Sequence, residues 1–327
     1  MYPDIPLVLA MAFLAFGLYA LTWSADRFVE GAGDIARSFG ISPFIVGVVV
    51  IGFGTSAPEL AVSAVSGMGG HAELALGNAY GSNIFNIAVI LGVAALIRPL
   101  AVRPVVVYAA VPLLILISLL SFLLTRLGDG FSRTDGFLSL AAFSLLLPFY
   151  CWVDQKSKRK EETPDTTAGM HAKHPFVVVI AALTILVGSS HVLVWGAVDL
   201  ARTLGISELV IGLTIVAAGT SLPELASAIA SARQDQHEFV LGNIIGSNFF
   251  NTLAVVGLSG AISPFGKVSP YVLTRDLPAM LLLSASIGAF GFNLRSPRSS
   301  GRIGRIKAIA WLLAFGLYLA ILFKQES

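Results

Sequence analysis

Charge and cysteine are what this sequence has least of. Asp, Glu, Lys and Arg make up 12% of its 327 residues, against roughly a quarter in ordinary soluble domains. With 56% hydrophobic residues beside them, that shortage disfavours a soluble globular enzyme, whose surface it could not cover. The single cysteine, Cys151, excludes an intrachain disulfide framework and a cysteine-cluster metal site. Twenty-one basic residues against 19 acidic ones leave a net charge of +2, too balanced to point to a nucleic-acid partner.

What the sequence has instead is apolar runs of membrane-spanning length. Ten are read, at 5–24, 42–68, 74–97, 104–125, 134–153, 176–197, 207–232, 238–262, 271–291 and 307–323. Each is near the ~20 residues that a helix needs to cross the hydrocarbon core. The runs are continuously apolar rather than alternating, so the expected fold is an all-α polytopic membrane protein, not a barrel. The first run follows Asp4 with no basic segment or cleavage site, so it reads as a retained helix. With the N-terminus outside, 15 Lys and Arg residues fall in inside connections and 6 in outside ones. That asymmetry favours both termini outside. The polar stretch 154–173 then becomes a cytoplasmic linker between two units, 1–153 and 174–327.

Those two units repeat each other. Gly40-Ile-Ser to Gly54-Thr-Ser-Ala-Pro-Glu59 recurs as Gly205-Ile-Ser to Gly219-Thr-Ser-Leu-Pro-Glu224. Leu76-Gly-Asn-Ala-Tyr-Gly-Ser-Asn-Ile-Phe-Asn86 recurs as Leu241-Gly-Asn-Ile-Ile-Gly-Ser-Asn-Phe-Phe-Asn251, at the same offset of 165. About two-fifths of positions match over 31–97 against 196–262 without a gap. The offset moves from the second span to the seventh, an odd step, so the copies enter the membrane from opposite sides. Transporters built from inverted repeats bind their substrates near the midplane, where the repeats meet.

The repeated residues are polar ones inside apolar spans. Glu59 and Glu224 are the acidic residues that the spans place deep in the bilayer, where an ionisable group costs roughly 2.5–3.5 kcal/mol even on lenient insertion scales. Pro58 and Pro223 lack an N–H and clash with the carbonyls of Gly54 and Gly219, so each helix should break beside its Glu. A broken helix frees carbonyl oxygens near Thr55 and Thr220, and two carboxylates match the charge of one divalent ion. Ca²⁺, which takes 6–8 oxygen ligands, fits that set better than Mg²⁺. Ser82 with Asn86, and Ser247 with Asn251, lie four residues apart and offer further oxygens for smaller monovalent ions. The GxxxG pairs Gly77/Gly81 and Gly242/Gly246 read as close-packing positions. Asn78, Asn83, Asn243 and Asn248 read as interhelical hydrogen-bonding residues, and Asp34 and Asp199 as groups near span ends.

Gly-Thr-Ser-x-Pro-Glu followed by Gly-Ser-Asn-x-Phe-Asn, twice and inverted, resembles the α-repeats of the cation/calcium exchanger superfamily. The nearest branch is that of the compact prokaryotic sodium/calcium exchangers. The resemblance implies ten helices in two inverted sets of five, and Na⁺/Ca²⁺ antiport by alternating access in a prokaryotic inner membrane. It implies no cofactor, and no obligatory protein partner is evident. By motif position it makes Glu59 and Glu224 the shared carboxylates, with backbone carbonyls from Thr55 and Thr220. Ser56, Ser82, Asn86, Thr220, Ser221, Ser247 and Asn251 line Na⁺ or central sites, with carbonyls from Gly52 and Ala217. Asn251 departs from the pattern, since several relatives, potassium-dependent ones included, have Asp there. Its neutrality argues against K⁺ co-transport.

Two other functions compete. The same glutamates can serve a Ca²⁺/H⁺ antiporter by taking up protons in turn. An intramembrane hydrolase is disfavoured because no HExxH motif occurs and none of the five histidines is expected at the depth of the glutamates.

Overall fold

The computed structural model describes residues 7–68, 72–127, 130–161, 174–204, 217–264, 266, 268–294, 296 and 299–326. Its helices are α1 (Leu7–Phe39), α2 (Pro43–Thr55), α3 (Ala57–Met68), α4 (Ala75–Ile97), α5 (Val106–Arg126) and α6 (Arg133–Glu161). The second half holds α7 (Pro175–Thr203), α8 (Ala217–Thr220), α9 (Leu222–Arg233), α10 (His237–Ile262), α11 (Val272–Gly291) and α12 (Arg305–Glu326). Among the described residues eight helices are long and apolar enough to cross a membrane, and α2–α3 forms one further span bent by 42°. The first limb of the expected seventh span, 205–216, lies outside the described residues, as does most of the 154–173 linker. The ten expected spans agree with this architecture.

Local chemistry explains the turns that matter. α1 stops at Gly40, whose φ of 61° suits a residue without Cβ, and Ile41 N–H closes back on Ala36 O at 3.1 Å. Ser42 then caps α2, its hydroxyl accepting from Ile45 N–H, and Pro43 opens the helix where no N–H is needed. α1 therefore runs 15 residues beyond the expected end at 24, and Arg27 and Arg37 sit on the helix rather than in a connection. No proline interrupts that stretch. Sequence reading also placed no acid but Glu59 and Glu224 deep in the bilayer, and burial proves broader. Asp34, Asp154, Asp199 and Asp276 are buried as well. Asp34 pairs with Arg37 at 2.6 Å and Asp276 with Arg275 at 2.6 Å. Being covered by protein is a different property from depth in the bilayer.

Among the described spans α10 is the most deeply buried. Of the apolar window of α10, 94% is buried, against 11% for α12. The outer helices instead turn large apolar residues such as Leu145, Leu282 and Leu313 outward, as a lipid-facing surface requires. α1 and α7 pack against each other, with Gly17 facing the backbone of Leu193 and Gly196 facing Ala10 O.

Pseudo-symmetry extends to details that the sequence does not display. The π-helical turn Asn86–Leu91 in α4 is matched by Phe250–Val255 in α10, and Val106–Ala110 in α5 by Val272–Asp276 in α11. Arg305 donates to Leu96 O at 3.1 Å near the end of α4, and Arg133 donates to Ile262 O at 3.3 Å at the end of α10. One end of the bundle gathers the connections after α1, α4 and α9 with the segment before α12. There β1 (Leu100–Val102) pairs antiparallel with β2 (Gly301–Ile303), Arg98 pairs with Asp235, and Arg103 with Asp154 and Glu238.

Candidate cation site

Both helix breaks are present. Ser56 (φ −80°, ψ 5°) separates α2 from α3, and Ser221 (φ −90°, ψ 8°) separates α8 from α9. Pro58 and Pro223 each stand second in the following helix, so Gly54 and Gly219 cannot receive the usual i+4 hydrogen bond. Glu59 and Glu224 thus enter in the first turn of α3 and α9, where N-terminal backbone dipoles favour a carboxylate.

The two repeats cross-link at these breaks. Ser56 donates to Glu224 Oε1 at 3.1 Å, and Ser221 donates to Glu59 Oε1 at 3.2 Å. Both glutamates are fully buried, and Oε2 of each has no hydrogen-bond partner. A buried acceptor left bare is costly, so each Oε2 is suited to an incoming ligand. Ser221 also lies 3.5 Å from the Ser82 hydroxyl. Ser247 donates to Gly52 O at 3.3 Å. The Thr55 hydroxyl has Ile51 O at 3.0 Å and Asn243 Oδ1 at 3.2 Å as acceptors. Asn86 donates to Asn248 Oδ1 at 3.1 Å while its own Oδ1 stays unpartnered. Asn251 is fully buried, and neither end of its amide has a hydrogen-bond partner. Ala217 is the first described residue of α8, three residues before Thr220.

Donors of this kind are hard oxygens, and among the described residues no three of His, Cys, Asp and Glu converge to hold a metal. The chemistry therefore suits a hard cation rather than a transition metal.

Glycines set the spacing. A Cβ on Gly242 would lie 2.5 Å from Phe44 O, and one on Gly246 would lie 2.7 Å from the Val48 backbone. α2 and α10 are in backbone contact there, as expected for this GxxxG pair. The repeat-related limb that Gly77 and Gly81 would face, 205–216, lies outside the described residues.

Two clefts flank the site at equivalent places in the two repeats. One, of about 340 Å³ between α3, α7 and α8, is lined by Pro58, Ser190, His191, Gly219 and Thr220. The other, of about 220 Å³ between α1, α7 and α9, carries Asp26 and Arg233 and is lined by Leu222 and Leu225. The first reaches a candidate site residue, Thr220, whereas Thr55 is fully buried. His191, expected away from the glutamates, lines that first cleft and is exposed.

Sequence reading did not find Ser63 and Ser227, which hold Asn78 and Asn243 at 3.1 and 2.9 Å, or Thr252 and Met280, which hold Asn83 at 2.8 and 3.2 Å. Thr252 and Met280 had no signal, because Ile87 stands at the position related to Thr252 and, in the register that matches Val106–Ala110 to Val272–Asp276, Leu114 stands at the position related to Met280.

The comparisons with known proteins agree with this geometry. The family model described as sodium/calcium exchanger protein matches residues 9–152 and 174–324. The inner membrane protein YrbG of Escherichia coli is 39% identical over 94% of this chain and 96% of its own. The sodium/calcium exchanger MaX1 of Methanosarcina acetivorans is 28% identical over 95% of this chain and 97% of its own. Among solved structures, the sodium-calcium exchanger NCX_Mj superposes with a TM-score of 0.82 at 29% identity, covering 96% of this chain and 99% of that one. The chain is a multi-pass membrane protein of the sodium/calcium exchanger family, a family of transporters rather than enzymes.

Proposed function

We propose that this protein exchanges Na⁺ for Ca²⁺ by alternating access, with both ions held between the two broken helices. The observation that carries the reading is the crossed serine–glutamate pair, which leaves one bare carboxylate oxygen in each repeat. Two carboxylates balance one Ca²⁺, and the Thr55 and Thr220 carbonyls add oxygens to it. Hydroxyl and amide oxygens of Ser56, Ser82, Asn86, Ser221, Ser247 and Asn251, with carbonyls of Gly52 and Ala217, extend the set to Na⁺. Because Ca²⁺ and Na⁺ draw on the same two carboxylates, full occupancy by one excludes the other. Mutually exclusive binding is the thermodynamic basis of exchange.

The unequal clefts support alternating access, since an inverted repeat gives two equivalent routes of which one reaches the site at a time. In this reading 1–153 and 174–327 are the repeats, 154–173 is a cytoplasmic linker, and both termini lie outside. The printed name of YrbG, an inner membrane protein, supports the same membrane for this chain.

The test is Ca²⁺ uptake into proteoliposomes at clamped voltage, with outward Na⁺ and H⁺ gradients imposed separately. Uptake driven only by Na⁺ is expected. Uptake driven only by protons would keep the site and replace the coupling ion, giving a Ca²⁺/H⁺ antiporter.

A further inference from the structure

One ion can touch groups from both repeats only if something fixes the break of one repeat against the glutamate of the other. Asn243 stands at that junction. It is fully buried on α10, beside Gly242, where the absent Cβ lets α2 approach. Its Nδ2 donates to Glu224 O at 3.2 Å and to Ser227 Oγ at 2.9 Å, and its Oδ1 accepts from the Thr55 hydroxyl at 3.2 Å. The amide has one possible orientation, because a backbone carbonyl can be served only by its NH₂ end. A single planar group therefore joins the break of the first repeat to the main chain of the second repeat's glutamate. Asn78, at the repeat-related position, donates to Glu59 O at 3.3 Å and Ser63 Oγ at 3.1 Å in the same way.

No other side chain does this at the same length. Asp has no donor for the carbonyl when ionised, and Ala would reach neither partner. We propose that Asn243 is a positioning residue for Ca²⁺, setting Thr55 against Glu224 without itself touching the ion. The proposal rests on the reading that Glu59 and Glu224 hold the ion. A divalent ion that needs both repeats at once responds to this spacing more than a monovalent one does.

Ca²⁺ uptake and thermal melting of N243A, T55V, the double variant, S227A and E224Q test it. Thr55→Val keeps the backbone carbonyl and removes only the hydroxyl. N243A is expected to raise the KM for Ca²⁺ about tenfold, more than that for Na⁺, at a maximal rate within about twofold of wild type. T55V should shift KM the same way, and the double variant should be no worse than N243A, as two ends of one bond require. Ser227 Oγ itself donates to Glu224 O at 3.0 Å, so S227A should shift KM in the same direction as N243A but by less, since the bonds from Asn243 to Glu224 O and Thr55 remain. An unchanged KM in N243A, or fold-changes that multiply in the double variant, would overturn the proposal. Should N243A not fold, an unchanged KM in T55V overturns it equally. E224Q with wild-type uptake would sink the ion site itself, whereas an inactive E224Q beside a normal N243A would refute only the positioning role.

Discussion

Ser56 donates its hydroxyl to Glu224 Oε1 at 3.1 Å, across 168 residues of chain and between opposite repeats. Ser221 returns the same bond to Glu59 at 3.2 Å. Each carboxylate accepts from the serine of the opposite repeat, so the two halves of the site exist only when the repeats are assembled.

Removing either carboxylate should abolish exchange without unfolding the protein. Glu59→Gln and Glu224→Gln keep the shape and remove a buried charge, whose desolvation opposes folding. Melting without Ca²⁺ should therefore occur at the wild-type temperature or above it, and the rise that Ca²⁺ gives the wild type should vanish. Wild-type exchange in either variant would refute the carboxylate assignment.

Gly246→Ala should weaken both the fold and transport. Its Cβ would lie 2.7 Å from the backbone of Val48, and overpacking of this kind costs about 1–3 kcal/mol. The gain in helix propensity is at most about 1 kcal/mol and does not offset it. Gly188→Ala, where a Cβ meets nothing within 4 Å, should keep or slightly raise Tm. Equal melting temperatures in the two variants would contradict the backbone contact.

Asn251→Asp adds a third carboxylate to a position whose amide has no hydrogen-bond partner. Wild-type uptake is expected to be indifferent to K⁺, and the variant to acquire a K⁺ dependence. Replacing K⁺ by choline during uptake reads this directly; a K⁺-dependent wild type would remove Asn251 from the selectivity argument.

The Arg98–Asp235 pair predicts a pH dependence at one end of the bundle. Asp235 has φ 57°, and Gln236 N–H closes on Ser231 O at 2.8 Å, so it forms the left-handed turn after α9. The Arg98 guanidinium, donating to it at 2.6 and 2.7 Å, holds its carboxyl below the ordinary 3.8. A lowered folded value means that the pair contributes fully above 3.8 and is lost as pH falls through the folded value. Asp235→Asn tolerates the same backbone and lacks the charge. Its small Tm deficit at neutral pH should disappear below that range and shrink in high salt.

The membrane-spanning segments and the inverted repeat were legible because bilayer length and a 165-residue offset are properties of the chain alone. The breaks at Ser56 and Ser221 were legible for a similar reason, since proline removes a local hydrogen bond whatever surrounds it. Asn243 was legible as an interhelical hydrogen-bonding residue but its partners were not, because all three come from α2 and α9. The length of α1 was misjudged because hydropathy fades toward Arg27 and Arg37 while the helix continues to Gly40.

By itself, then, the sequence determined which segments cross the membrane, where two of them break and which polar residues stand at the breaks. These follow from local sterics and from the cost of exposing polar groups to lipid. Only the tertiary structure decided that each serine serves the other repeat's glutamate, that Asn243 ties Thr55 to Glu224, and that one cleft reaches Thr220 while Thr55 is sealed. Those relations depend on how closely α2 and α10 approach, a distance set by packing between segments far apart in the chain.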